Sequence, residues 1–312
     1  MATLASARAV ASRASRAAVA PPRRRSTRLP ARPRAVGEGV LGEGWTPSHV
    51  DIFADSPETR ALVSCDLLTL RPCELVPELP MYLVDGEDIL ELWQRTEAFA
   101  ASRGARADPD PDGGLHPPYW AVPWVGGQGV ARYVLDHPET VAGKSVLDVG
   151  SGCGVAALAA AKAGASLVCA NDIDPLAAVA FMANAEACGL TGEDAACVLE
   201  TSVEDMLRRS PEDVARFDVI MAGDVCFMKG LSEAFQTWLA SVGDRKEGAV
   251  TILGDPSRQA GWAPRAGWAE GTVRAAEYEV ETAATNALTE GQRTRRTVVW
   301  LRWVGGDEST VE

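Results

Sequence analysis

Ser145-Val-Leu-Asp-Val-Gly-Ser-Gly-Cys-Gly154 decides the fold, together with the later run Leu167-Val-Cys-Ala-Asn-Asp-Ile-Asp-Pro175. Val146, Leu147 and Val149 make a short buried strand, and the glycines behind it let backbone come close to a ligand. The second run is another apolar strand and carries a carboxylate, Asp172, 22 residues after Gly150. A strand, a glycine turn, a helix and a strand ending in an acid describe a nucleoside-binding crevice. Such a crevice lies at the carboxyl edge of a parallel sheet.

The details favour S-adenosylmethionine over a dinucleotide. The glycines stand at Gly150, Gly152 and Gly154, whereas the dinucleotide fingerprint needs its third glycine where Val155 stands. Asp148 precedes the turn, where it would repel a pyrophosphate and attract the ammonium of a methionyl group. Gly150, Ser151 and Gly152 are therefore expected against the methionyl part, and the free N–H groups of the next helix against its carboxylate. Asp172 is expected to hold ribose hydroxyls, with Ile173 against adenine. Asp174 competes for the ribose, but Pro175 behind it marks a helix N-cap. Residues 202–205, after the third core strand, are expected to supply an adenine-edge contact, with no single residue singled out.

Around these motifs the pattern alternates as a doubly wound sheet requires, which gives an α/β fold with a Rossmann-like seven-strand sheet. A helix is expected over 127–135, strands over 145–149 and 167–170, and helices over 155–163 and 175–188. Further strands are expected over 196–200, 217–222 and 250–253, with a helix over 231–242 between the last two. A closing antiparallel pair is expected over 272–282 and 294–303. Residues 117–305 would form this domain and 306–312 a tail. Residues 37–116 read as an N-terminal extension, helical over 89–100, with short extended runs and prolines over 60–84 and a loop over 107–114.

The first 36 residues carry nine arginines and no acid, the composition of an organelle transit peptide of mitochondrion or plastid; a basic nucleic-acid-binding arm is the other reading. Without those nine of its 30 bases, the chain has 21 against 43 acids, a net charge of −22. That balance disfavours DNA and RNA as partners and suits a basic or lysine-presenting partner; the other reading is that the acidity only keeps the protein soluble. Seven cysteines without a Cys-x-x-Cys pair suit reduced thiols, and three histidines without ligand spacing give no metal site. No apolar run is long enough to span a membrane.

Two further segments bear on chemistry. Pro117-Pro-Tyr-Trp-Ala-Val-Pro-Trp-Val-Gly-Gly-Gln128 places Trp120 and Trp124 just before the core, as an aromatic wall beside a sulfonium or as a plug that packs the extension. Gly223-Asp-Val-Cys-Phe227 ends the fourth core strand at the same sheet edge. Asp224 is expected to orient an amine nucleophile, which must lose its proton before it attacks; the other reading is a helix cap.

With these residues in hand, the chain resembles the seven-strand lysine methyltransferases that modify the β subunit of electron transfer flavoprotein. The resemblance covers about 60–303. It rests on Pro118-Tyr-Trp120, Trp124-Val-Gly-Gly-Gln128, the glycine motif, Ala170-Asn-Asp-Ile-Asp-Pro175, Gly223-Asp224 and Ile252-Leu-Gly-Asp-Pro-Ser-Arg258. The glycine motif would match any class I methyltransferase; the Trp-x-Gly-Gly-Gln and Gly-Asp-Pro-x-Arg segments are more selective. The resemblance implies S-adenosylmethionine as donor, a protein lysine as acceptor and the mitochondrial matrix as setting. It also implies a cofactor wall from Trp120, Trp124, Gly127 and Gln128. Phe227 and Met228 depart from the family pattern of a tyrosine followed by an acid, which bears on the acceptor. Other readings are a methyltransferase of a small amine or a ribosomal-protein lysine, and a non-catalytic cofactor-binding interaction protein. A nicotinamide-dependent oxidoreductase ranks last.

Overall fold

The computed structural model describes residues 47–105, 115–193, 195–257, 271–282 and 292–305. The transit-like segment, the 107–114 loop, Arg258 and the 306–312 tail lie outside them.

Two short helices, α1 (Pro47–Ile52) and α2 (Pro57–Leu62), open the described chain. Ser56 caps α2 by accepting from Thr59 N–H, with Pro57 at the first position, a start signal written in the sequence. An antiparallel hairpin follows, β1 (Leu68–Pro72) and β2 (Pro80–Val84), then helix α3 (Ile89–Ser102). Helix α4 (Val125–Asp136) leads into the core, where β3 (Ser145–Val149), α5 (Val155–Lys162), β4 (Leu167–Asn171) and α6 (Pro175–Ala187) follow. Next come β5 (Val198–Ser202), α7 (Pro211–Val214), β6 (Val219–Gly223), α8 (Lys229–Val242) and β7 (Val250–Asp255). The described chain closes with β8 (Thr272–Glu281) and β9 (Thr294–Trp303).

The sheet order is β5-β4-β3-β6-β7-β9-β8, parallel through β7, with β9 antiparallel between β7 and β8. The order reverses between β3 and β6, and in open α/β sheets a ligand crevice forms outside that point. Side chains alternate across the sheet. Val146, Val168, Val219 and Ile252 join the core with α4, α5 and α6, while Leu147, Cys169, Ile220 and Leu253 join the core with α8.

The expected strand over 196–200 starts two residues later, at Val198, because register sets it: Val198 lies opposite Leu167. The expected strand over 217–222 begins at Val219, since Phe217 packs with α8 before pairing starts. The extension shares its core with the domain. Cys73, Val76, Leu79, Met81 and Leu83 of the hairpin lie in one cluster with α4 and α5. This covering explains the alanine-rich α5, whose residues Val155–Ala161 are all buried: it is apolar all round because both sides are packed. Among the described residues, no helix is long and apolar enough to cross a membrane.

Candidate cofactor and acceptor site

The turn after β3 is built as its glycines require. Gly150, Gly152 and Gly154 have φ of 68°, 52° and 83°, a region that side chains disfavour. At Gly154 space is lacking too, because a Cβ would lie 2.5 Å from Phe181 Cδ2. Asp172, at the end of β4, is locked onto this turn: its Oδ2 accepts from Gly152 N–H at 2.9 Å and its Oδ1 from Asp174 N–H at 3.0 Å. Burial pushes the Asp172 carboxyl up; the two N–H groups and the His116 charge pull it back. Asp174 caps α6 by accepting from Leu176 N–H at 2.9 Å, and burial and the Asp172 charge push it up to about 8.

Asp148 is buried, 2 % exposed, and its Oδ2 accepts from Ala157 N–H at 3.1 Å. It thus supplies the N-terminal cap that Gly154, at the N-cap position of α5, cannot. Burial pushes its carboxyl up to about 7; the Ala157 N–H opposes this and the Asp172 charge adds to it. Asp148, Gly150, Ser151, Gly152, Trp124 and Gly127 line one narrow crevice. It encloses about 20 Å³, within about 300 Å³ of atom-free space that runs out to solvent.

The two tryptophans part company. Trp120 is 2 % exposed and packs in a cluster with the N-terminal helices and α6, so it is the plug. Trp124 is half-buried on the crevice wall, its Nε1 donating to Tyr119 O at 3.1 Å. Tyr119, part of the aromatic segment read from the sequence but not among its expected cofactor contacts, stands 5.8 Å from the Trp124 ring and 6.1 Å from the Phe227 ring. Tyr119, Phe227, Met228 and Ile173 are exposed, an apolar rim on the loops at the carboxyl edge of the sheet.

Gln128 has a different place from the one expected of a cofactor contact. Its side chain is buried beneath the wall, bonded to Leu75 N–H, Glu74 and Pro123 O. Its neighbour Gly127 lies against β6: a Cβ on Gly223 would run into the Gly127 backbone. Asp224 follows that strand in the left-handed region, φ 59°, with its carboxylate accepting from Gly126 N–H. The helix it caps is therefore α4, which precedes it in the chain, and not α8, which follows. Asp205 caps the short turn after β5, and Asn171 ties that turn to β4 through Ser202 O and Glu204 O.

Residues 133–224 match the family profile described as ribosomal protein L11 methyltransferase (PrmA). The human electron transfer flavoprotein beta subunit lysine methyltransferase is 39% identical over 202 residues, 65% of this chain and 68% of that protein. The mouse protein of that name is 41% identical over 141 residues, 45% of this chain, and the chain spans about half its length, 51%. Among solved structures, TrmN from Thermus thermophilus has a TM-score of 0.37 at 20% identity, over 55% of this chain and 48% of that one. On the extent of the match to the human protein, the chain belongs to the electron transfer flavoprotein beta subunit lysine methyltransferase family.

Proposed function

We propose that the protein is an S-adenosylmethionine-dependent protein-lysine N-methyltransferase acting on the β subunit of electron transfer flavoprotein. The observation that carries this reading is the bond from Gly152 N–H to Asp172, which joins the β4 acid to the glycine turn after β3, the strand on one side of the reversal in sheet order. The donor set fits the cofactor: Asp172 for hydroxyls, buried Asp148 for an ammonium, Gly150 and Gly152 for close approach, and Trp124 for a sulfonium. Bound there, S-adenosylmethionine supplies an activated methyl group for in-line transfer to an amine.

The chain's own residues do the rest. Asp172, held at both oxygens, stays aimed without reorganisation. Tyr119 and Trp124 narrow the way to the turn, and with Phe227 they offer aromatic faces to an alkyl-ammonium side chain. A lysine entering between them leaves water, which favours its neutral, nucleophilic form. Asp224 follows Gly223, which lines the crevice, and the role proposed for it is to orient that amine while its carboxylate also accepts from Gly126 N–H. The charge of −13 supports a basic protein partner over nucleic acid, and the arginine-rich start supports the mitochondrial matrix.

The test incubates the full chain with methyl-labelled S-adenosylmethionine and purified electron transfer flavoprotein, beside an organelle extract. Label on a β-subunit lysine is expected. Label on a ribosomal protein would move the target, and cofactor binding without any labelled protein would end the protein-methylation reading. A fluorescent fusion of residues 1–40 found outside mitochondria would correct the location.

A further inference from the structure

We propose that Gln128 and Asn184 are positioning residues that make the β1–β2 hairpin a working part of the cofactor crevice, an inference that rests on the cofactor reading above. Both side chains are 1 % exposed, each on a helix that is otherwise packed by apolar groups. A buried amide without partners is costly, and here both are bonded at each end.

Gln128 Oε1 accepts from Leu75 N–H at 2.9 Å, while its Nε2 donates to Pro123 O at 2.8 Å and to Glu74 Oε2 at 3.0 Å. Asn184 Oδ1 accepts from Tyr82 N–H at 2.8 Å, while its Nδ2 donates to Cys153 O at 3.0 Å. The pattern fixes which end is oxygen, because only an oxygen can face an N–H and only a nitrogen can face a carbonyl. Asn184 therefore grips the hairpin with one end and a crevice wall with the other, while Gln128 holds the hairpin at both ends and the other wall through Nε2. Pro123 precedes Trp124 on one wall, and Cys153 lies within the glycine turn on the other.

Apolar packing also holds the hairpin, through Cys73, Val76, Leu79, Met81 and Leu83. That packing is non-directional and tolerates small slides. The two amides do not: a shift of the hairpin breaks a buried bond or carries Trp124 and the turn with it. The hairpin thereby sets the spacing between the walls that receive the cofactor. An ionised acid of the same shape cannot replace either amide, since it keeps the oxygen facing N–H and presents a second acceptor oxygen to a carbonyl, and keeping it neutral instead ties binding to pH.

Calorimetric titration with S-adenosylhomocysteine tests this on the full-length wild type, Asn184→Asp, Gln128→Glu and Val242→Ala, the last a core change on the opposite face of the sheet. Each acid variant is expected to weaken binding fivefold or more, with Val242→Ala binding as the wild type while its Tm falls. Wild-type affinity in both acid variants, or equal weakening in Val242→Ala, would overturn the inference. Hydrogen exchange on the wild type answers even where a variant fails to fold. Ligand should slow exchange at Leu75 and Tyr82 N–H at least threefold, and protection that stops at the glycine turn would refute the link. No binding by the wild type removes the cofactor reading and this inference with it; binding that the variants leave intact removes this inference alone.

Discussion

Asp148→Asn separates what the crevice needs from what the fold prefers. Asparagine keeps an oxygen that accepts from Ala157 N–H, so the cap on α5 stays and only the charge is lost. In the folded chain the Asp148 carboxyl titrates at about 7, against about 3.9 unfolded. Between those values the folded state holds a proton that the unfolded state has released, so stability falls as pH rises from about 4 to about 7 and levels off above. At about 1.4 kcal/mol per unit, the loss between pH 5 and pH 8 comes to roughly 2 to 3 kcal/mol. The amide does not titrate, so the variant should gain that much on the wild type from pH 5 to pH 8 in urea denaturation. Affinity for S-adenosylhomocysteine should move the other way, weaker by roughly 10- to 150-fold for one lost charged hydrogen bond of about 1.5–3 kcal/mol. A stability difference equal at the two pH values would refute the burial argument. Unchanged affinity would show that the charge does not face the ligand.

Gly154→Ala places a Cβ 2.5 Å from Phe181 Cδ2 at a φ of 83°, and should lose about 2 kcal/mol or more by denaturation; a neutral result would contradict the turn. Asp224→Ala removes the acceptor that caps α4 and should lower stability by about 1–2 kcal/mol. Asp224→Asn retains an accepting oxygen and should lower kcat more than Tm; unchanged kcat would take Asp224 out of the mechanism. Phe227→Ala opens the aromatic rim and should raise KM for the protein acceptor several-fold while cofactor affinity holds, whereas an equal change in both would place Phe227 with the cofactor.

The core order of strands and helices was legible because its signals are local. Three apolar residues, a glycine turn and Pro175 behind Asp174 each act within one turn of chain. The strand ends were less so, since cross-strand register moved β5 and β6 by two residues from their apolar runs. Gln128 shows the limit at the site: the family resemblance implied a place in the cofactor wall, and only the hairpin folded over it reveals its partners.

By itself, then, the sequence determined β3, its glycine turn and β4 with an acid behind it, because backbone sterics and apolar alternation depend on neighbours along the chain. Tertiary structure alone decided which side chains hold the crevice in shape. Asp224 caps a helix 98 positions earlier, Asn184 reaches Tyr82 at 102 positions, and Gln128 reaches Leu75 at 53. Each of these bonds satisfies a buried polar group, and a buried group takes whatever partner folding brings within about 3 Å, however distant that partner is in sequence.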